Sequence, residues 1–154
     1  MMTSKKERYE TLLPQAEALL SGEGDPVARM ANLAALIHTS FGFWWTGFYR
    51  VVAEGESSTE TLLLGPFQGP VACTRIPYGK GVCGTAWKEG RTVVVSDVEQ
   101  FPGHIACSSE SRSEIVVPVI RSGRVVAVLD IDSRSLNTFD KVDAHYLERL
   151  AALL

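Results

Sequence analysis

The sequence predicts an α+β fold, an antiparallel sheet with helices from both ends of the chain packed against it. Three observations carry this. Apolar residues recur at helical spacing near both termini. The middle of the chain is a succession of β-branched and aromatic runs. Those runs are joined largely by short polar turns, as hairpins are, and not by regularly spaced crossover helices.

The first helix is "YETLLPQAEALL", which sets Tyr9, Leu12, Leu13, Ala16 and Leu19 or Leu20 on one face. Pro14 should kink or divide it. "GEGD" breaks the chain, and Asp25-Pro26 starts a second helix with Asp as N-cap and Pro at the first helical position. Its stripe is Val27, Met30, Leu33, Ala34 and Ile37, which reads as core. "FWWTGFYRVV" and "TLLLGPF" then form a hairpin across the polar turn "AEGESSTE". "PVACTRIP" is a third extended segment, and "GVCGTAWKEG" a short helix between glycines. "RTVVVSDV" and "EIVVPVI" read as strands, and "RSGR" turns the latter back into "VVAVLDIDS". The closing amphipathic helix is expected from a cap at Asn137 or Thr138, with Phe139, Val142, Tyr146, Leu150 and Leu153 inward. It is still helical in pattern at Leu154, so the natural chain is expected to continue.

The 154 residues read as one domain, 1–154, long enough for a sizeable core. With 45% hydrophobic and 21% charged residues it is neither disordered nor collagen-like. A net charge of −3 argues against a nucleic-acid partner, which would ask for a basic patch. No apolar run approaches the roughly 20 residues of a membrane span. The N-terminus carries charge without an apolar segment behind it, so no secretory signal is read and the cytoplasm is the expected location.

In a reducing compartment, three widely spaced cysteines do not read as a structural disulfide framework. Cys73 alternates with Val71 and Arg75 and could face a core. Cys83 sits at the start of the short helix near Lys80, where backbone amides and a cation would favour a thiolate. Cys107 lies in "GHIACSSESRSE", between His104 and the pair Ser108 and Ser109, where packing gives no reason for a thiol. The thiols lack zinc-knuckle spacing, so a metal site with His104 as fourth ligand is disfavoured. A hydrolase pairing Cys107 with a distant histidine stays open, although His38 and His145 read as surface or packing residues. Asp130 and Asp132 stand two apart on a strand and point to one face. Crowded together there, at least one would hold a proton near neutrality. Glu114 is placed to reach the same pocket. A thiol, a protonatable carboxyl group and a carboxylate for an amine suit reduction of an amino-acid oxide. Trp44 and Trp45, as strand neighbours, should face opposite sides, while Trp45 and Tyr49 share one.

"GPFQGPVACTRIPYGKGVCGTAW", "GHIACSSESRSEIVVPV" and "VLDIDS" together resemble the free methionine-(R)-sulfoxide reductases, enzymes built on a GAF domain. The resemblance runs from about Trp45 to Phe139. It implies a six-stranded antiparallel sheet flanked by helices, in a homodimer. It also implies that Cys107 attacks the sulfur of free methionine-(R)-sulfoxide, with Glu114 or Asp132 protonating the sulfoxide oxygen. The sulfenic acid so formed would condense with Cys73 to a disulfide, and thioredoxin would reduce it; no bound cofactor or metal is implied. Asp130 would hold the substrate ammonium, and Trp45 and Tyr49 would wall the methylthio end. Cys83 as attacker, with Cys107 resolving, remains the other order of thiols. Two further readings stand beside this one: a GAF-type small-ligand or redox sensor module without turnover, and a structural thiol cluster with no activity.

Overall fold

The computed structural model describes residues 3–107 and 109–154; Ser108, which the sequence places beside the loop thiol, lies outside them. The elements run α1 (Lys5–Leu20), α2 (Pro26–Phe41), β1 (Trp45–Ala53), β2 (Glu60–Gln68), β3 (Arg75–Pro77), α3 (Gly81–Glu89), β4 (Val93–Val95), a 3-10 turn (Val98–Gln100), β5 (Ser113–Arg121), β6 (Arg124–Ser133) and α4 (Lys141–Ala151). The strands form one antiparallel sheet in the order β3-β2-β1-β6-β5-β4. Both expected hairpins are present. The β5–β6 turn puts Ser122 and Gly123 at φ 52° and 78°, the doubly positive geometry whose twist matches that of the flanking strands.

Strand alternation sorts the side chains into two cores. On one face Phe48, Ile115, Val117, Leu129 and Ile131 meet α1, α2 and α4. On the other, Trp45, Tyr49, Val116 and Val128 meet Val82, Cys83, Ala86 and Trp87 of α3. At the helical end, Asp143 is 1% exposed, accepts from Tyr9 Oη at 2.6 Å and pairs with Lys5 Nζ at 2.6 Å. That buried charge is therefore satisfied, and it ties α4 to α1.

Four expectations are corrected. α1 is a single helix despite Pro14. The proline sits on the exposed side, away from the apolar face, so the hydrogen bond it removes costs the packing nothing. In α2 Val27 is 52% exposed, so the buried stripe begins at Met30. α4 is capped by Asp140, in a reciprocal capping box with Asp143, and not by Asn137 or Thr138. The third and fourth strands are only three residues each. Both are edge strands, which natural sheets keep short. Among the described residues no helix is long and apolar enough to cross a membrane.

Candidate active site

The pairing register builds the site. Trp45 lies opposite Asp132, and Asp132 opposite Glu114. One row on, Gly47 is opposite Asp130 and Asp130 opposite Val116. Three adjacent strands thus set Trp45, Glu114, Asp130 and Asp132 on the face toward α3. A cavity opens there, lined also by Tyr49, Cys83, His104 and Cys107.

The row needs Gly47. A Cβ at that position would collide with Phe67 and come within 2.6 Å of the Trp45 ring. Without one, Trp45 stacks on Phe67 at 5.2 Å and lies 6.0 Å from Tyr49, forming the aromatic wall that their spacing suggested. Both also do something the sequence did not signal. Trp45 Nε1 donates to the Pro70 carbonyl at 3.0 Å, and Tyr49 Oη donates to the Cys73 carbonyl at 2.8 Å. The segment before β3, which carries Cys73, is held across the wall by these two bonds. Trp44 departs from strict alternation and lines the cavity as well, because the strand begins only at Trp45.

The cavity floor is acidic. Glu114 and Asp130 are each 6% exposed. Burial pushes all three carboxyl groups above the usual carboxylate range; Glu114 and Asp132 are pushed further by the Asp130 charge. Asp130 is raised less decisively, because Glu114 and Cys83 hydrogen-bond to it and favour its anion. Asp130 Oδ1 is nonetheless buried without a hydrogen-bond partner. Ser111 Oγ donates to Asp132 Oδ1 at 3.1 Å, a contact the sequence gave no means of finding.

Cys73 and Cys107 are joined in a disulfide, with Cα atoms 5.4 Å apart, inside the range such bonds tolerate. Cys107 is solvent-exposed at the cavity rim, as its polar surroundings suggested, and Cys73 is half-buried.

Cys83 overturns its expectation. It is 3% exposed, and burial followed by the charges of Asp130 and Glu114 raises its thiol well above the ordinary value. Position three of a helix would favour a thiolate in water. Here the side chain points away from water and toward acids, which opposes it. Cys83, Glu114 and Asp130 are the described residues whose ligating atoms converge, all within 4.8 Å of one another. A dication there would have to displace the protons that burial keeps in place. Neither hydrolase histidine is near Cys107. His38 lies across the sheet with Nδ1 3.0 Å from Thr46 Oγ1, and His145 is exposed on α4.

The GAF domain family matches residues 25–154. The chain is 54% identical over 151 residues to GAF domain-containing protein A of Dictyostelium discoideum, spanning 98% of this chain and 92% of that protein. It is 45% identical over 157 residues to the free methionine-R-sulfoxide reductase of Saccharomyces cerevisiae, spanning 98% and 86%. The structure of free methionine-R-sulfoxide reductase from Neisseria meningitidis in complex with its substrate superposes with a TM-score of 0.93 at 52% identity, over 99% of this chain and 89% of that one.

Proposed function

The chain belongs to the free methionine-(R)-sulfoxide reductases, built on a GAF domain, and we propose that its turnover runs through Cys107, Cys73 and the buried carboxyl groups. The observation that carries this reading is the Cys73–Cys107 disulfide beside a cavity floored by Glu114, Asp130 and Asp132.

In the reduced enzyme the Cys107 thiolate attacks the sulfoxide sulfur while Glu114 gives its proton to the oxygen. Glu114 is the donor we assign because burial and both aspartates favour its protonated form. Asp132, oriented by Ser111, is the second candidate. The sulfoxide sulfur gains two electrons and leaves as methionine; Cys107 loses two and keeps the oxygen as a sulfenic acid. The Cys73 thiol attacks that sulfur, a disulfide forms, and the oxygen departs as water. Thioredoxin is the dithiol we assign to restore both thiols.

Asp130 is assigned to the substrate ammonium. Its anion accepts hydrogen bonds from Glu114 and Cys83, and its other oxygen is buried without a donor. An ammonium supplies that donor; the amide nitrogen of a peptide-bound methionine sulfoxide supplies no charge. A site that leaves a buried polar group unpaired discriminates strongly. The Trp45 and Tyr49 wall takes the methylthio end. The buried Cys83 is assigned neither attack nor resolution, because its environment suppresses the thiolate that both roles use.

The test is NADPH consumption with thioredoxin and thioredoxin reductase. Free methionine-(R)-sulfoxide, its (S) epimer and N-acetylated (R) substrate are supplied in parallel. Turnover of the free (R) form alone is expected. No turnover of any of them, with thiols shown to be reduced, would leave a GAF-type binding module.

A further inference from the structure

The acid assigned above needs a way to recover its proton. Each turnover takes one from Glu114, and neither the sulfenic acid nor the disulfide gives it back there. The Glu114 side chain is 8% exposed, at the floor of the cavity. Bulk water has poor access to it.

One side chain bridges floor and surface. His104 lines the cavity, its side chain is 17% exposed, and Nε2 stands 3.9 Å from Glu114 Oε1. That gap is closed by one intervening water or by a small shift of the ring. The ring is carried by the same loop as Cys107, three residues before it. The loop is anchored at its far end by Arg112 N donating to the Ser133 carbonyl at 2.7 Å, and turned by His104 N donating to the Phe101 carbonyl at 3.2 Å. The titratable and charged groups that share the cavity with His104 are Glu114, Asp130 and Asp132 of the sheet, Cys83 of α3, Lys80 before it, Tyr49 of β1 and, once the disulfide is reduced, Cys107 of its own loop. Lys80 is exposed, whereas the half-buried His104 ring reaches in to Glu114. An imidazole both takes up and releases a proton near neutrality. Burial lowers the proton affinity of His104 while the Asp130 charge raises it.

We propose that His104 reprotonates Glu114 between turnovers, relaying a proton from solvent to the floor of the cavity. The balance is simple: His104 takes a proton from water on its outer nitrogen and releases one from Nε2 to the Glu114 carboxylate. The group returns to its starting form by tautomer exchange. His104 acts through Glu114 and does not touch the substrate. The proposal rests on the assignment of Glu114 as the acid.

A relay of this kind separates the first turnover from those that follow. In reduced enzyme at rest Glu114 has had time to take its proton by any slow route, so the first methionine is formed without His104. The experiment compares wild type, His104→Ala and Glu114→Gln, pre-reduced. Methionine is measured in a rapid-quench first turnover and in the steady state with saturating dithiothreitol, so that no protein reductant is involved. For His104→Ala the steady-state rate is expected to fall roughly 10²-fold while the first turnover stays within about twofold, and added imidazole to restore the steady state. Wild-type steady-state turnover in His104→Ala would overturn the relay. So would an equal loss of both phases that imidazole does not mend, in a variant that melts like the wild type. Glu114→Gln reports on the premise separately. Loss of its first turnover is expected, and a normal first turnover would remove Glu114 as the acid and the relay with it.

Discussion

Three carboxyl groups on one sheet face cannot all be anions when water is withheld from them. The residues differ in how that conflict is resolved. Burial raises Asp130 too, but hydrogen bonds from Glu114 and Cys83 oppose that rise and make its anion the least disfavoured. Glu114 and Asp132 are instead driven toward their acids by burial and by the Asp130 charge. Unequal environments for neighbouring acids are what separate a binding carboxylate from a proton donor. Asp130→Asn removes the charge and keeps the shape. Its KM for free methionine-(R)-sulfoxide should rise about 10- to 100-fold, the cost of losing a charge-assisted hydrogen bond of ~1.5–3 kcal/mol. Steady-state kinetics on the folded variant check this, and an unchanged KM would take the ammonium away from Asp130. The alternation of "DID" was enough to put the two aspartates on one face. It said nothing of Ser111 or His104, which belong to an irregular loop with no period to read. For Cys83 the local signal misled: a helix start promises amides and a cation, and only packing revealed burial beside acids.

At the scale of elements, the site is a property of strand register. Trp45, Asp132 and Glu114 come from β1, β6 and β5, distant in sequence and directly opposed in the sheet. A slip of one residue in either pairing would send one of them to the helical core. The hydrophobic alternation of each strand enforces the register, since Ile115, Val117, Leu129 and Ile131 must all face α1, α2 and α4. Gly47 is the element-level concession that lets Trp45 and Phe67 close over the next row. Gly47→Ala should lower stability by about 1–3 kcal/mol through overpacking. The same change should raise the KM by moving Trp45 off Phe67 and weakening its bond to Pro70. Thermal melts and KM measured together test this; a melt and a KM both equal to wild type would show that the wall has slack. Segments at the sheet edge were read from sequence as longer strands than they are. Their β-branched runs favour extension, but a strand lasts only while its chain stays alongside a partner, and these segments leave β2 and β5 after three paired residues each.

For the whole molecule, the acidic floor makes stability depend on pH with a definite sign. Glu114, Asp130 and Asp132 bind protons more tightly in the folded state than carboxyl groups do in the unfolded chain. Below about pH 4, where unfolded carboxyl groups are protonated too, this carries no penalty. As pH rises the unfolded chain releases these protons first, so folding stability falls until the folded groups titrate as well. Glu114→Gln should therefore melt at a higher temperature than wild type at neutral pH, with the gap closing toward pH 4. Each kcal/mol is worth about 2–4 °C for a chain of this size. Melting curves from pH 4 to 8 are the check, and a gap that does not change with pH would count against the raised carboxyl. Function thus has a cost in stability, offset by the two cores and by the satisfied Asp143 cluster at the helical end.

The sequence by itself determined the α+β class, both hairpins, the helices, the thiol in a polar loop and the pair of aspartates on one strand face. These are local quantities, fixed by periodicity, turn residues and the alternation of a strand. Its motifs also carried the family resemblance. The tertiary structure joins Cys73 to Cys107, the pair that the resemblance implied, and it alone decided the opposition of Glu114 to Asp132, the burial of Cys83, and the approach of His104 to Glu114. Contacts of that kind depend on the register and stacking of elements far apart in the chain, and burial sets the charge of each group only once those elements have closed around it.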